Sequence, residues 1–116
     1  MDIEIKKKLA SNWFKLLQDI ICNEIEKIEG KNNIFKSKKW ERNPKKNEGG
    51  GEFRILKKGK VFEKVGVNFS EVKGKFSKEF KNSIPGTSSN SKFWASGVSV
   101  VMHMQHHFVP AMHFNT

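Results

Sequence analysis

Val61-Phe62-Glu63-Lys64-Val65-Gly66-Val67-Asn68-Phe69-Ser70 is the stretch on which the fold turns. Val65, Val67 and Phe69 fall two residues apart, with Lys64, Gly66, Asn68 and Ser70 in register between them. A strand sends successive side chains to opposite faces. The stretch therefore describes a half-buried strand with one apolar face and one polar face free to bind. Upstream, Phe53 and Ile55 alternate in the same way, Val61 opens the second run, and Lys57-Lys58-Gly59-Lys60 separates the two. That pattern predicts a β-hairpin. Downstream, the run from Phe93 to Met104 puts Trp94, Val98, Val100, Met102 and Met104 on one side and Ser99, Val101 and His103 on the other. A loop from Gln105 to Val109 is closed by Pro110. In the last extended run, Met112 and Phe114 lie opposite His113 and Asn115.

Ahead of Glu52 the period is different. Leu9, Trp13, Leu16, Leu17, Ile20, Ile21, Ile25 and Ile28 are spaced by threes and fours, with Lys15, Gln18, Glu26 and Lys27 opposite. This predicts a scaffold helix over residues 3–29 with that stripe covered, ended by Gly30. Residues 30–51 are Lys- and Asn-rich, with Pro44 and Gly49-Gly50-Gly51, and are expected to be loop, anchored by Phe35 and Trp40. The glycine triplet suits either a close approach of backbone amides to a ligand or a flexible linker. Between residues 74 and 92 a short helical turn from Lys78 to Asn82, a Pro85-Gly86 turn and a Ser-rich loop are expected. Strands are predicted over 52–57, 61–70, 93–104 and 111–115. The fold class is α+β, an antiparallel sheet with helical cover.

Composition narrows the function classes. A chain of 116 residues is one domain. Lys and Arg number 22 against 12 Asp and Glu, a net charge of +10. That charge admits nucleic acid, a membrane surface or a polyanionic small molecule as partner. Arg42 and Arg54 are the only arginines, so a dedicated nucleic-acid reader is disfavoured, and the Lys and Asn excess is a composition bias. The single cysteine, Cys22, excludes an intrachain disulfide and suggests a reducing compartment. No apolar run reaches the roughly 20 residues of a membrane span, and the first residues carry acids and no apolar signal core. A soluble, cytoplasmic protein is expected.

If the last two runs pair as a hairpin, Ser99, His103, His113 and Asn115 line one surface. They supply a hydroxyl, two imidazoles and an amide. Two histidines on one sheet face serve as a metal pair, as an acid–base pair or as solvated side chains, and the residues leave those alternatives open. His106 and His107 fall in the loop with no Cys or Glu at ligand spacing, so they are expected to face solvent.

Four stretches carry a family resemblance. They are Leu17-Gln18-Asp19-Ile20-Ile21-Cys22; Trp40-Glu41-Arg42 followed by Gly49-Gly50-Gly51; Val61 to Ser70; and Phe93-Trp94-Ala95-Ser96-Gly97-Val98-Ser99 to Val109-Pro110-Ala111-Met112-His113-Phe114-Asn115. In order and spacing the chain resembles the oxygen-dependent coproporphyrinogen III oxidases. The resemblance implies a large antiparallel sheet flanked by helices and a homodimer. It also implies the oxidative decarboxylation of two propionates of coproporphyrinogen III to vinyl groups, giving protoporphyrinogen IX with dioxygen as co-substrate. By the family motif, Ser99 contacts substrate, Asn115 binds substrate, His113 donates a proton, and His103 and His113 are the residues discussed as ligands of a divalent metal; no organic cofactor is implied.

Departures are Glu48 where another glycine is expected, an insertion-like Asn43 to Asn47, and no family counterpart for His106 and His107. The chain is expected to be the amino-terminal portion of a single domain, 1–116 here. It stops before the arginine of His-x-Asn-x-Arg, and is expected to be inactive and poorly stable by itself. Two other readings stand beside it. One is a non-catalytic relic. The other is a small basic nucleic-acid module, which predicts an aromatic-studded basic sheet and a steep salt dependence. The alternation of aromatics with apolar residues, as in a core, counts against that module.

Overall fold

The computed structural model describes residues 1–30, 33–77, 83 and 91–116. Among the described residues the one α-helix, α1, runs Ile3–Glu29. Asp2 starts it by accepting the Glu4 N–H at 3.2 Å, and Gly30, at φ +92°, ends it with its N–H on the Glu26 carbonyl. Five strands follow: β1 (Lys36–Glu41), β2 (Gly49–Lys57), β3 (Phe62–Lys75), β4 (Lys92–Met104) and β5 (Met112–Asn115). They form one antiparallel sheet in sequence order, a meander. The β2–β3 turn is closed by Lys58 N–H on Glu63 O and Gly59 N–H on Phe62 O, both at 2.8 Å. The helix and the α+β architecture are as expected. No helix among the described residues is long and apolar enough to cross a membrane.

α1 lies across one face of the sheet, over β3 and β4. The core between them contains Cys22, Ile25, Leu56, Phe62, Val65, Val67, Val98 and Val100, with Phe14, Leu17, Ile21, Phe35 and Phe114 packed around it. The predicted helix stripe is only partly right. Ile25 is buried, but Leu9, Trp13, Leu16, Ile20 and Ile28 are 44–58% exposed. The face that meets the sheet is instead Ser11, Gln18, Cys22, Ile25 and Glu29. At about 100° per residue, Leu9, Trp13, Leu16 and Ile20 point about 180° away from it.

The rotation is set by polar anchors that hydropathy does not reveal. Gln18, expected on the solvent side, is 1% exposed and its Nε2 donates to Glu52 O at 2.8 Å and Val67 O at 3.1 Å. The Glu29 carboxylate accepts the N–H groups of Lys60 (2.7 Å), Val61 (2.9 Å) and Phe62 (2.6 Å). Ser11 donates to Glu71. Buried polar groups are tolerated because each is paired.

The segment expected to be loop, 30–51, holds β1, a single 3-10 turn at Pro44–Lys46 and the start of β2. β1 has no apolar alternation because it is an edge strand, where lysines keep other chains from pairing. The glycine triplet is strand, not linker and not ligand loop. Gly51 pairs with Trp40 on one side and Ser70 on the other, and a Cβ there would lie 2.8 Å from the Trp40 ring. β3 runs on to Lys75, and Val61 lies just outside it, 43% exposed. The buried residue is Phe62, because the register shifts between Phe62 and Lys64 and the extra Glu63 breaks the alternation. The turns expected at Lys78 to Asn82 and Pro85-Gly86, and most of the Ser-rich loop, lie outside the described residues.

These assignments separate two sets of apolar residues of the same kind. Ile25→Ala is expected to lower the unfolding free energy by about 2–4 kcal/mol, while Leu9→Ala and Ile20→Ala change it by less than about 1 kcal/mol. Urea unfolding followed by circular dichroism measures the difference.

Candidate functional site

The face of the sheet away from α1 is assembled by register. Ser99 pairs with Asn68 on β3 and with Asn115 on β5, so three polar side chains stand in a row across three strands. At about 4.8 Å between strands the row spans about 10 Å. Phe53 and then Lys38 extend it across β2 and β1. The next row runs His113, Val101, Gly66, Ile55, Lys36, and the one after it His103, Lys64, Lys57. Ser99, His103, His113 and Asn115 therefore share one face, as strand parity predicted. Ser99 is half-buried and the other three are exposed. His113 faces Val101, and His103 is its diagonal neighbour, at about 7–8 Å between Cα atoms.

The floor beside these rows is flat. The Trp40 ring lies over Gly51, and the Phe53 ring lies over Gly66, 3.2 Å from where a Cβ would stand. These two aromatics are on the open face and not in the core, contrary to the expectation from alternation. Trp40 donates its indole N–H to Asn68 Oδ1 at 2.9 Å.

The registered acids are confined to one face, whereas lysines stand on both. Lys36, Lys38, Lys57 and Lys64 occupy the open face. Among the described residues at regular sheet registers, the acids Glu41, Glu52 and Glu71 all fall on the helix side. There Glu52 is held below the usual carboxylate range by the Ser37 hydroxyl and by Arg54, which also bridges to Asp19 at 2.7 Å. An anion meets lysines and hydrogen-bond donors on the open face and no registered carboxylate.

A family model described as coproporphyrinogen III oxidase matches residues 9–116, which takes in every strand and most of α1. The chain belongs to the coproporphyrinogen III oxidase family. It is 49% identical to the oxygen-dependent coproporphyrinogen-III oxidase of Rickettsia felis, aligned over all of this chain and 43% of that protein. It is 48% identical to the same enzyme of Rickettsia akari, again over all of this chain and 43% of the relative. With the enzyme of Rickettsia typhi it shares 48% over 95% of this chain and 41% of the relative. The chain thus spans less than half the length of the curated relatives it matches.

In this chain His103 and His113 offer two imidazoles, and among the described residues no group of three or more His, Cys, Asp or Glu comes together to hold a metal. These residues do not by themselves make a divalent-metal site. His106 and His107 are exposed in the β4–β5 loop, their rings stacked 5.1 Å apart. Asn68 and Trp40 are the open-face residues that sequence reasoning did not join to the site. Parity put Asn68 on the polar face, but only register puts it beside Ser99.

Cys22 plays no part on this face. It is 1% exposed under the helix, and burial pushes its thiol up from 9.0 to about 11, against the opposing effect of Arg54. A folded-state value above the unfolded one means that stability is fully present below pH 9 and is lost as pH rises toward 11. Stability should therefore fall over pH 9–11 more steeply in the natural chain than in Cys22→Ala, and iodoacetamide should label Cys22 only in denaturant. Urea melts at three pH values and mass spectrometry check the two outcomes.

Proposed function

We propose that this chain supplies one wall of the active site of an oxygen-dependent coproporphyrinogen III oxidase. The observation that carries the reading is the open sheet face, on which Asn68, Ser99 and Asn115 form a donor row among lysines with no registered acid. Such a face suits a ligand with several carboxylates, and coproporphyrinogen III has four propionates. The relatives' name supplies the substrate and the oxidant. Each propionate that becomes a vinyl group releases carbon dioxide and one proton and passes two electrons to dioxygen.

Within that reaction Ser99 and Asn115 orient a propionate by donating to its carboxylate. His113, one row on, is the group for the proton, since an imidazole carries both an N–H donor and a nitrogen acceptor for proton transfer. His103 stands beside it as a second imidazole, and no step is assigned to a metal. A cytoplasmic, homodimeric enzyme belongs to the same reading. The nucleic-acid alternative is not favoured, although Trp40 and Phe53 do lie on a basic sheet face, because the family match and all three relatives are oxidases.

The test is a chimera in which this chain replaces the matching 43% of the Rickettsia felis enzyme. It is expected to convert coproporphyrinogen III in the presence of oxygen, read by fluorescence of the oxidised product. His113→Ala in the chimera should lower kcat by about 10²–10⁴-fold, and His106→Ala should leave it within about twofold. A folded chimera without activity would overturn the reading, and a normal rate for His113→Ala would remove that residue from it.

A further inference from the structure

An indole nitrogen donates and cannot accept. The 2.9 Å bond from Trp40 Nε1 to Asn68 Oδ1 therefore decides which end of the Asn68 amide is the oxygen. The oxygen is turned to β1, and the Nδ2 group is turned away from Trp40. Nδ2 makes no hydrogen bond to a described residue. Asn68 is thus a donor with its acceptor end already occupied, held on the open face. Directly beside it stands Ser99, and beyond Ser99 stands Asn115. On the other side Phe53 and Lys38 complete the row.

We infer that Asn68 is a further substrate-binding residue, whose Nδ2 donates to a propionate carboxylate, with Trp40 as the positioning residue that fixes the amide. The inference rests on the reading of the open face as the substrate face. A carboxylate is the acceptor that suits this place, because Asn68 Nδ2 and the Ser99 hydroxyl offer donors side by side and the charges in this row and the next are those of Lys38 and Lys36. Access is kept low and flat by glycines: Gly51 lets the Trp40 ring lie against the sheet, and Gly66 does the same for Phe53. A ligand reaching Asn68 therefore meets rings lying down and not side chains standing up. The indole bond also fixes the amide before the ligand arrives, so less orientational freedom is lost on binding.

The experiment uses the full 116-residue chain, ¹⁵N-labelled, with coproporphyrin III as a stable tetracarboxylate probe and its tetramethyl ester as the probe without carboxylates. Titration with coproporphyrin III should shift the side-chain amide signals of Asn68 and Asn115 and leave that of Gln18 in place. Asn68→Asp keeps the oxygen that Trp40 needs and replaces the donor by a second oxygen. It should leave the Trp40 indole signal where it is and weaken coproporphyrin III binding about tenfold, with the ester unaffected. Ser70→Asp, which adds the same charge one row away, should weaken binding by no more than about twofold. Trp40→Phe, which frees the amide, should weaken it less than Asn68→Asp does.

Equal affinity for Asn68→Asp and the natural chain would overturn the inference and leave the substrate face standing. Equal losses for Asn68→Asp and Ser70→Asp would also overturn it, because the field of the charge would then account for the effect. Failure of the natural chain to bind coproporphyrin III would overturn the substrate face and this inference together.

Discussion

Val65 and Val67, at the centre of β3, have no exposed surface, and the rest of the structure is constrained by that burial. With these two turned under α1, strand alternation sends Lys64, Gly66, Asn68 and Ser70 to the other side. The neighbouring strands copy the choice, because paired residues of an antiparallel ladder point the same way: Ser99 stands against Asn68 and Asn115 against Ser99. A slip of one residue would exchange the faces. It would also expose Val98, Val100 and Leu56, each worth about 1.5–3 kcal/mol when buried. The polar row of the open face is held in register by the apolar core behind it.

The helix is oriented by its polar residues as much as by its apolar ones. Glu29 gathers three consecutive N–H groups at the β2–β3 turn, and hydrogen bonds to a charged acceptor are worth about 1.5–3 kcal/mol each. Gly59 leaves room for that carboxylate, since a Cβ there would collide with it. Gln18 ties the middle of the helix to β2 and β3, and Ser11 ties its first half to Glu71. With three anchors on one face, the helix cannot roll to bury Leu9, Trp13, Leu16 and Ile20 against the sheet. That stripe faces outward as a consequence.

The same division sorts the acids. The helix side holds the registered acids and pairs Arg54 with Asp19 and Glu52. The open face keeps lysines and neutral donors. A one-sided donor surface can orient a carboxylate from below, and orientation from several sides is what gives positioning its large effect on rate. The family members that this chain matches are more than twice its length, and an enclosed site is the work of a whole domain.

The strands could be foreseen from residues a few positions apart. Phe53 and Ile55, Val65 to Phe69, and Val98 to Met102 show their alternation locally, as do the turn at Lys58-Gly59 and the end of α1 at Gly30. Parity alone also placed Ser99 with His103, and His113 with Asn115, since each pair lies on one strand. The family resemblance attached roles to those four positions. β1 was not foreseeable, because a charged edge strand takes its shape from its partner and carries no pattern of its own. The buried face of α1 was misread for a related reason: hydropathy treats Gln18 and Glu29 as solvent-facing, whereas burial depends on acceptors and donors that only the folded sheet presents. Glu63 hid behind a regular alternation that a single bulged residue breaks. Asn68 belonged to the polar face by sequence, but its place beside Ser99 and the direction of its amide came from strand register and from Trp40, 28 residues away. Local chemistry determined which residues face the same way along each strand; tertiary structure decided which strands stand side by side, because register depends on contacts between residues far apart in the chain.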